Sequence, residues 1–379
     1  MFGGTLGKAK NRIVAVADIG SADAGVVIFE VGEKTLPIAA ARERLPLEDR
    51  PPEALITGVI QCLSTATEKA LAQLAASGQS ERGVTACIAI VHVPWTRSFA
   101  GEASAQFEKD DSVTQKQIAD LATQALANQK ELNRDTLFEA SVVRVLLNGY
   151  PTGDPVGKKA RAIRVRALLS ECDPRIKKGV QEALGRLLPG ISITWRSSAR
   201  AILSLLRKDE EATCLVVSLG DEATDILVVR KADLEDRALV PRGLREIATS
   251  FAKDKPVEET LALLDMLEKD QCESDACEEL ENAIAKAEPE LAQRFGEVFV
   301  KLSVARRLPE TLVIIAPTHA STWLSRFFSR IDFTQFTATA RPFSPILLSG
   351  TLEAPEDPRI SGDPGFILAR ALVNRESES

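Results

Sequence analysis

The chain alternates between short, dense apolar runs and longer segments whose apolar residues recur every three or four positions. The first pattern, bounded by turn residues, predicts buried strands; the second predicts amphipathic helices. IVAVADIGSADAGVVIFEV, residues 13–31, reads as two strands joined at Asp18-Ile19-Gly20-Ser21. TLPIAAARERLPL predicts a third strand, EDRPPEA a loop, residues 55–76 an amphipathic helix, and GVTACIAIVHVPW a buried strand. This is a β-then-α unit.

From residue 97 the character changes. A strand-like FAGEASAQF leads to a helix opening at Ser112 or Thr114, where the hydroxyl caps and Gln117 completes a capping box for Thr114. FEASVVRVLLNGY, the turn PTGDPVGKK, the strand RAIRVRALL and the helix DPRIKKGVQEALGRLL complete a small α+β module. CLVVSLGDEATDILVV then repeats the opening unit, pairing Asp18 with Ser218 and Gly20 with Gly220. Residues 256–308 are helical in pattern, PETLVIIAP is another buried strand, and THASTWLSRFFSR a helix. SGDPGFILARALVN predicts an Asp-capped helix with Pro in its first turn, and RESES a frayed end.

A chain of 379 residues exceeds one hydrophobic core, so two or more subdomains are expected. An apolar fraction of 45% and a charged fraction of 27% are those of a soluble globular protein, and no apolar run is long enough for a transmembrane helix. The net charge of −7 argues against nucleic acid as a main ligand, because phosphate binding relies on clustered Lys and Arg. Lys158, Lys159, Arg161, Arg164 and Arg166 form the densest basic set, and alternation puts Arg164 and Arg166 on one solvated strand face. The six cysteines read as reduced thiols; Cys272 and Cys277 have the wrong spacing for a zinc knuckle. His92 and His319 lack the paired ligands or acid of a catalytic or metal site, so His92 reads as a satisfied strand residue and His319 as part of a helix cap region. Phe327, Phe328, Phe333, Phe336 and Phe343 are expected to be core, and the leader with Phe2 and Leu6 a disordered tail.

The order of these parts resembles the actin-like superfamily, and within it the cell-division protein FtsA and the pilus-assembly protein PilM. ADIGSADAG looks like the phosphate-1 hairpin, and LLNGYPTGDPVGKKARAIRVRALL is similar to the loop and strand of the inserted subdomain 1C. VPRGLREIATSFA stands where the FtsA pattern has Pro-x-Gly-Gly, and SGDPGFILARAL looks like the terminal helix that crosses back into the first half. The resemblance implies an α/β, actin-like (ribonuclease H-like) fold of two duplicated α/β halves, with an FtsA-type inserted α+β subdomain 1C and a reduced helical subdomain 2B. It divides the chain into 1–97 (1A), 98–190 (1C-like), 191–255 (2A), 256–309 (2B-like), 310–345 (2A again) and 346–379 (return to 1A).

By the same resemblance ATP and Mg would lie between the hairpins, touching Asp18, Gly20, Ser21, Ser218, Gly220, Thr224, Asp225 and Gly243, with Asp18 on the metal side. The motifs depart from the family, however. Phosphate-2, normally Asp-x-Gly-Gly-Gly-Thr-Thr-Asp, reads Ser218-Leu219-Gly220-Asp221-Glu222-Ala223-Thr224-Asp225. The adenosine strand ends in Ala316-Pro317-Thr318 in place of Gly-Gly, and the second glycine of Pro-x-Gly-Gly is Leu244. A carboxylate about 4 Å from a phosphate oxygen costs on the order of 1–4 kcal/mol. The reading is therefore a scaffold with weak or lost ATP binding, in cell division or type IV pilus assembly. It would be cytoplasmic, held at the membrane face by the tail of a membrane-protein partner, self-associating, with no nucleic acid and no membrane insertion of its own. Lys158, Lys159, Arg164 and Arg166 would carry partner binding. The ending at Asn374–Ser379 lacks the basic amphipathic helix by which FtsA anchors itself. The alternative is an active filament-forming ATPase that uses Mg-ATP in the cleft.

Overall fold

The computed structural model describes residues 12–378 except 47, 49, 79–82, 208, 210, 253–254, 270, 273–274 and 349–356. The leader residues Phe2 and Leu6 lie outside the described residues.

In the first half β1 (Arg12–Ile19), β2 (Asp23–Val31) and β3 (Thr35–Arg44) form an antiparallel meander, followed by α1 (Pro52–Ala76) and β4 (Ala86–Val91). Helix α1 starts three residues earlier than the periodicity predicts because Pro52 suits a first helical position, where no amide hydrogen is needed. The chain then leaves this sheet for β5 (Thr96–Ser112), α2 (Gln115–Asn128), β6 (Leu137–Leu147), β7 (Tyr150–Pro151) and β8 (Lys159–Cys172). These strands make a sheet of their own, in the order β5-β8-β6-β7, with a separate core around Ile163, Val165 and Leu169. Thr114 caps α2 in the predicted capping box with Gln117, while Ser112 is the last residue of β5. After α3 (Pro174–Leu187), capped by Asp173, β9 (Ile193–Ser197) returns to the first sheet, and α4 (Ser198–Leu206) leads out of it.

The second half repeats the scheme: β10 (Cys214–Leu219), β11 (Thr224–Arg230) and β12 (Asp233–Val240), then α5 (Leu244–Ala252), α6 (Val257–Glu268), α7 (Asp275–Ser303), β13 (Thr311–Ile315), α8 (Thr318–Arg330) and β14 (Ser344–Leu347). The sheet orders β3-β2-β1-β4-β9 and β12-β11-β10-β13-β14 are the same path walked twice. The repeat extends to single residues. Asp18 pairs with Gly25 as Ser218 pairs with Asp225, and Gly20 and Gly220 each donate to the carbonyl three residues on, both at 3.0 Å.

Helix α9 (Pro364–Glu378) crosses back and, with α4, fills the space between the two sheets; Phe366, Leu368 and Leu372 join Val16, Val27, Val216 and Leu227 in one core. Asp363 caps α9 as expected, its Oδ1 accepting from Phe366 N–H at 3.0 Å. The predicted fraying does not occur at 375–378. The helix runs on because Glu376 is buried and its Oε1 accepts from Arg196 Nε at 2.5 Å. Phe327, Phe328, Phe333 and Phe343 are buried in the core, packing on one another and around Phe299, with the half-buried Phe336 at its edge.

Two expectations are overturned. Cys272 and Cys277 are joined as a disulfide, their Cα atoms 6.0 Å apart. The other four cysteines are free and buried. Nor is Arg166 part of a free basic face. Its Nη1 lies 2.9 Å from Asp233 at the start of β12, where Arg144 and Arg207 also converge at 3.2 and 3.1 Å. One carboxylate, 2% exposed, thereby ties the inserted sheet to the second half. Arg164 stays half exposed beside Glu102, and Lys158 and Lys159 are exposed.

Removing one member of a buried ion pair leaves the other charge uncompensated, at a cost of about 3 kcal/mol. Glu376→Ala is accordingly expected to lower the denaturant midpoint at unchanged slope, measured by chemical unfolding, whereas the exposed Glu182→Ala is expected to be near neutral.

Candidate functional site

Parallel strands point their carboxyl ends at one place, and open α/β sheets bind ligands there. Here the ends of β1, β4, β10 and β13 deliver Asp18, His92, Ser218 and Ala316 to a cavity of about 320 Å³ between the halves. The hairpin glycines Gly20 and Gly220 line it, with Ser21, Asp221, Asp225 and the start of α9.

The first hairpin's acid is fully engaged. Asp18 Oδ1 lies 2.6 Å from His92 Nε2, and Oδ2 accepts from Arg42 Nη2 at 2.7 Å. Arg42 also reaches Asp23 at 2.9 Å and Asp363 at 2.6 Å, and its guanidinium lies 4.7 Å over the Phe366 ring. Burial opposes ionisation of Asp18, but His92 and Arg42 outweigh it and hold the carboxyl well below its usual range. For His92 burial is again outweighed, by Asp18, and its pKa is raised. Arg42, buried among Asp23, Asp363 and Asp18, is likewise more basic than usual.

The second hairpin is served by two further arginines. Asp225 Oδ1 accepts from Arg237 Nε at 2.6 Å, and Glu222 takes a two-pronged contact from Arg245 at 2.8 and 3.0 Å. Asp221 is less well served. Its side chain is buried, its Oδ1 accepts no hydrogen bond, and the nearest cation, Arg44 Nη1, stands 3.8 Å away. Burial pushes its carboxyl up to about 6, opposed by Arg44 and reinforced by Asp23 and Glu222.

The tips of the hairpins touch. Glu222 N–H donates to Ser21 Oγ at 3.0 Å, so a hydroxyl and an amide suited to phosphate are spent on each other. A Cβ on Gly20 would lie 1.9 Å from Asp23 Oδ1 and push that side chain aside, while one on Gly243 would lie 2.3 Å from the Asp221 carbonyl oxygen, a backbone atom that cannot yield. Gly243 thus seats the second hairpin and does not line the cavity; Thr224 does not line it either, donating from Oγ1 to the Arg242 carbonyl at 2.7 Å. Groups that the resemblance assigns to Mg-ATP are engaged within the protein: both Asp18 oxygens are held by His92 and Arg42, and Ser21 Oγ by the Glu222 amide.

The motif pattern locates Asp18, Gly20, Ser21, Ser218, Gly220 and Asp225 at the cavity. It misses Arg42, Arg44, Asp23, Asp363 and His92, and the reading that His92 has no acid partner is corrected by Asp18. A topological signal for His92 exists. Ile90 pairs with Asp18 and Val91 with Ile19 in the parallel ladder, so His92, two residues past Ile90, emerges on the face that carries Asp18, level with Gly20.

A carboxyl whose folded-state pKa stands above its unfolded value weakens the fold as pH rises between the two, here between 3.8 and about 6. Asp221→Asn is therefore expected to raise Tm by a few degrees at about pH 7.5 and by much less at about pH 4, read by thermal melts. Arg44 keeps Asp23 at 3.5 Å in that variant.

No protein-family model matches the chain, and no curated protein does. Among solved structures, 97% of the chain is similar to 99% of a chain from a PilM-PilN type IV pilus biogenesis complex, with 13% identity and a TM-score of 0.59. It is also similar to the ethanolamine utilization protein EutJ from Carboxydothermus hydrogenoformans (12% identity, 95% of this chain and 90% of that one, TM-score 0.48). A Bacteroides thetaiotaomicron protein described as having an actin-like ATPase fold follows at 8% identity, 96% of each chain and a TM-score of 0.40. With its duplicated sheets, inserted module and returning helix, this chain has the actin-like ATPase fold.

Proposed function

We propose that this protein is an actin-fold scaffold without nucleotide, acting in type IV pilus assembly at the cytoplasmic face of the membrane through the tail of a membrane-protein partner. The observation that carries the proposal is the joined hairpin tips over a carboxylate cluster clamped by Arg42. A cleft in that state spends on internal bonds the groups that the resemblance assigns to phosphate and metal. The pilus side of the choice between pilus assembly and division is supported by the fold likeness to PilM across nearly the whole of both chains. The partner surface would use Lys158, Lys159 and Arg164 at the outer end of the inserted sheet, without Arg166. Among the described residues no helix is long and apolar enough to cross a membrane, so contact through a partner is the route proposed.

Calorimetric titration with Mg-ATP and Mg-ADP is expected to give no heat with the folded protein. Micromolar binding that is lost in Gly220→Asp would place the filament-forming ATPase reading first. For the partner, the protein is expected to sediment with inner-membrane vesicles of its source. Protease treatment of the vesicles, or Glu at 158, 159 and 164 together, is expected to abolish this; equal binding to protein-free lipid vesicles would contradict it.

A further inference from the structure

The inserted sheet packs α2 on the face that carries Ile163, Val165 and Leu169. On the face turned away from α2, Arg166 pairs in the ladder with Glu102 of β5 and Arg144 of β6, and Arg164 with Ser104 and Leu146. A cavity of about 520 Å³ lies where this sheet meets the second half, lined by Val143, Leu168 and Leu203 together with charged residues of both parts.

Charge around the cavity is out of balance. Asp233 alone meets Arg166, Arg144 and Arg207, at 2.9, 3.2 and 3.1 Å. Glu235 is shared by Arg230 and Arg306, and Glu102 by Arg164 and Arg166. Among the described residues six guanidiniums thus have three carboxylates, in a chain whose net charge is −7. Burial first, and Arg200 and Arg144 with it, push Arg207 down to about 10 in spite of Asp233. Two cations of the lining make no side-chain hydrogen bond among the described residues and reach into solvent. Lys231 is 69% exposed and 3.8 Å from Glu211, and Arg306 is 66% exposed and 3.9 Å from Glu235.

A second observation concerns the backbone that presents Lys231. Lys231 and Ala232 form the two-residue turn between β11 and β12, both in the left-handed region at φ 51° and 55°. Such turns favour Asn and Gly, and a residue with a Cβ costs stability there. Glu235 is the extra residue of a bulge, since Val229 pairs with Leu234 and Val228 with Asp236. A lysine kept where glycine would be more stable, beside a bulge that re-aims Glu235, is expected where the position of a side chain matters more than the ease of the turn.

We propose that this cavity, with the basic side chains that continue from it along β8, docks an acidic, extended peptide segment whose carboxylates meet Lys231, Arg306 and Arg164. The proposal rests on the scaffold reading and gives the chemistry of the partner's tail. Charge complementarity selects the sign of the segment. Extent selects a peptide over a small anion, because β8 from Lys159 to Arg166 spans roughly 23 Å at about 3.3 Å per residue. Arg166 stays with Asp233 and Glu102 and adds its charge.

Fluorescence anisotropy with the intact protein tests this, using a labelled peptide of about twelve residues with Glu at every second position and Ala between. Copies with Gln or Lys in place of Glu are the controls. The acidic probe is expected to bind in the micromolar range, more weakly as salt rises, and the two controls not at all. Lys231→Gly combined with Arg306→Gln is expected to weaken binding about tenfold or more. Lys231→Gly alone is expected to raise Tm, because glycine suits the left-handed turn. Arg164→Gln, at a half-exposed position, gives a second reading should the pair fail to fold. Lys178→Gln with Arg186→Gln, the same loss of charge on α3 outside the lining, is expected to leave binding within about twofold. Equal binding of either control peptide, an equal loss in the α3 pair, unchanged binding in the folded cavity variants, or no binding of the acidic probe would overturn the proposal. Displacement of the probe by submillimolar inorganic phosphate would also overturn it, in favour of a small-anion site. The nucleotide-free reading fails separately, by Mg-ATP heat that is lost in Gly220→Asp, so the two failures are distinguishable.

Discussion

Arg42 is the interaction on which the arrangement of the cleft depends. One guanidinium joins Asp18 at the end of β1, Asp23 at the start of β2 and Asp363 at the start of α9. Three carboxylates in so small a volume would repel one another strongly, and burial would raise the cost further. With the guanidinium among them each keeps a partner. The same contact carries α9 against the first sheet, where its apolar face closes the space between the halves. Fold closure and the engagement of Asp18 thus have one cause.

The second half answers with its own cations. Arg237 covers Asp225 and Arg245 covers Glu222, which leaves Asp221 as the member without a hydrogen bond. An under-served buried carboxylate is a cost to stability that persists in functional sites more often than in cores.

Much of this was legible in the sequence, and for physical reasons. The duplicated hairpins show because each sets a glycine, Gly20 or Gly220, in a short turn between two apolar runs. The inserted module shows through its own strand periods and the capping box at Thr114, and Asp363 shows as a helix cap. What sequence hides is pairing at a distance. Nothing in ARER tells that Arg42 meets Asp363 across 321 positions, or that Arg166 turns inward to Asp233. The disulfide at Cys272 and Cys277 depends on how two helices are joined, which spacing alone does not state. Glu376 reads as part of a charged tail until the buried Arg196 is known.

The central claim is that the hairpin tips are bonded to each other and not to a nucleotide. Hydrogen–deuterium exchange over residues 218–224, followed by mass spectrometry with electron-transfer fragmentation, reads the Glu222 amide directly. The account predicts slow exchange in the protein alone, unchanged by millimolar Mg-ATP, and faster exchange in Ser21→Ala. Rapid exchange that becomes protected only when Mg-ATP is added would contradict it.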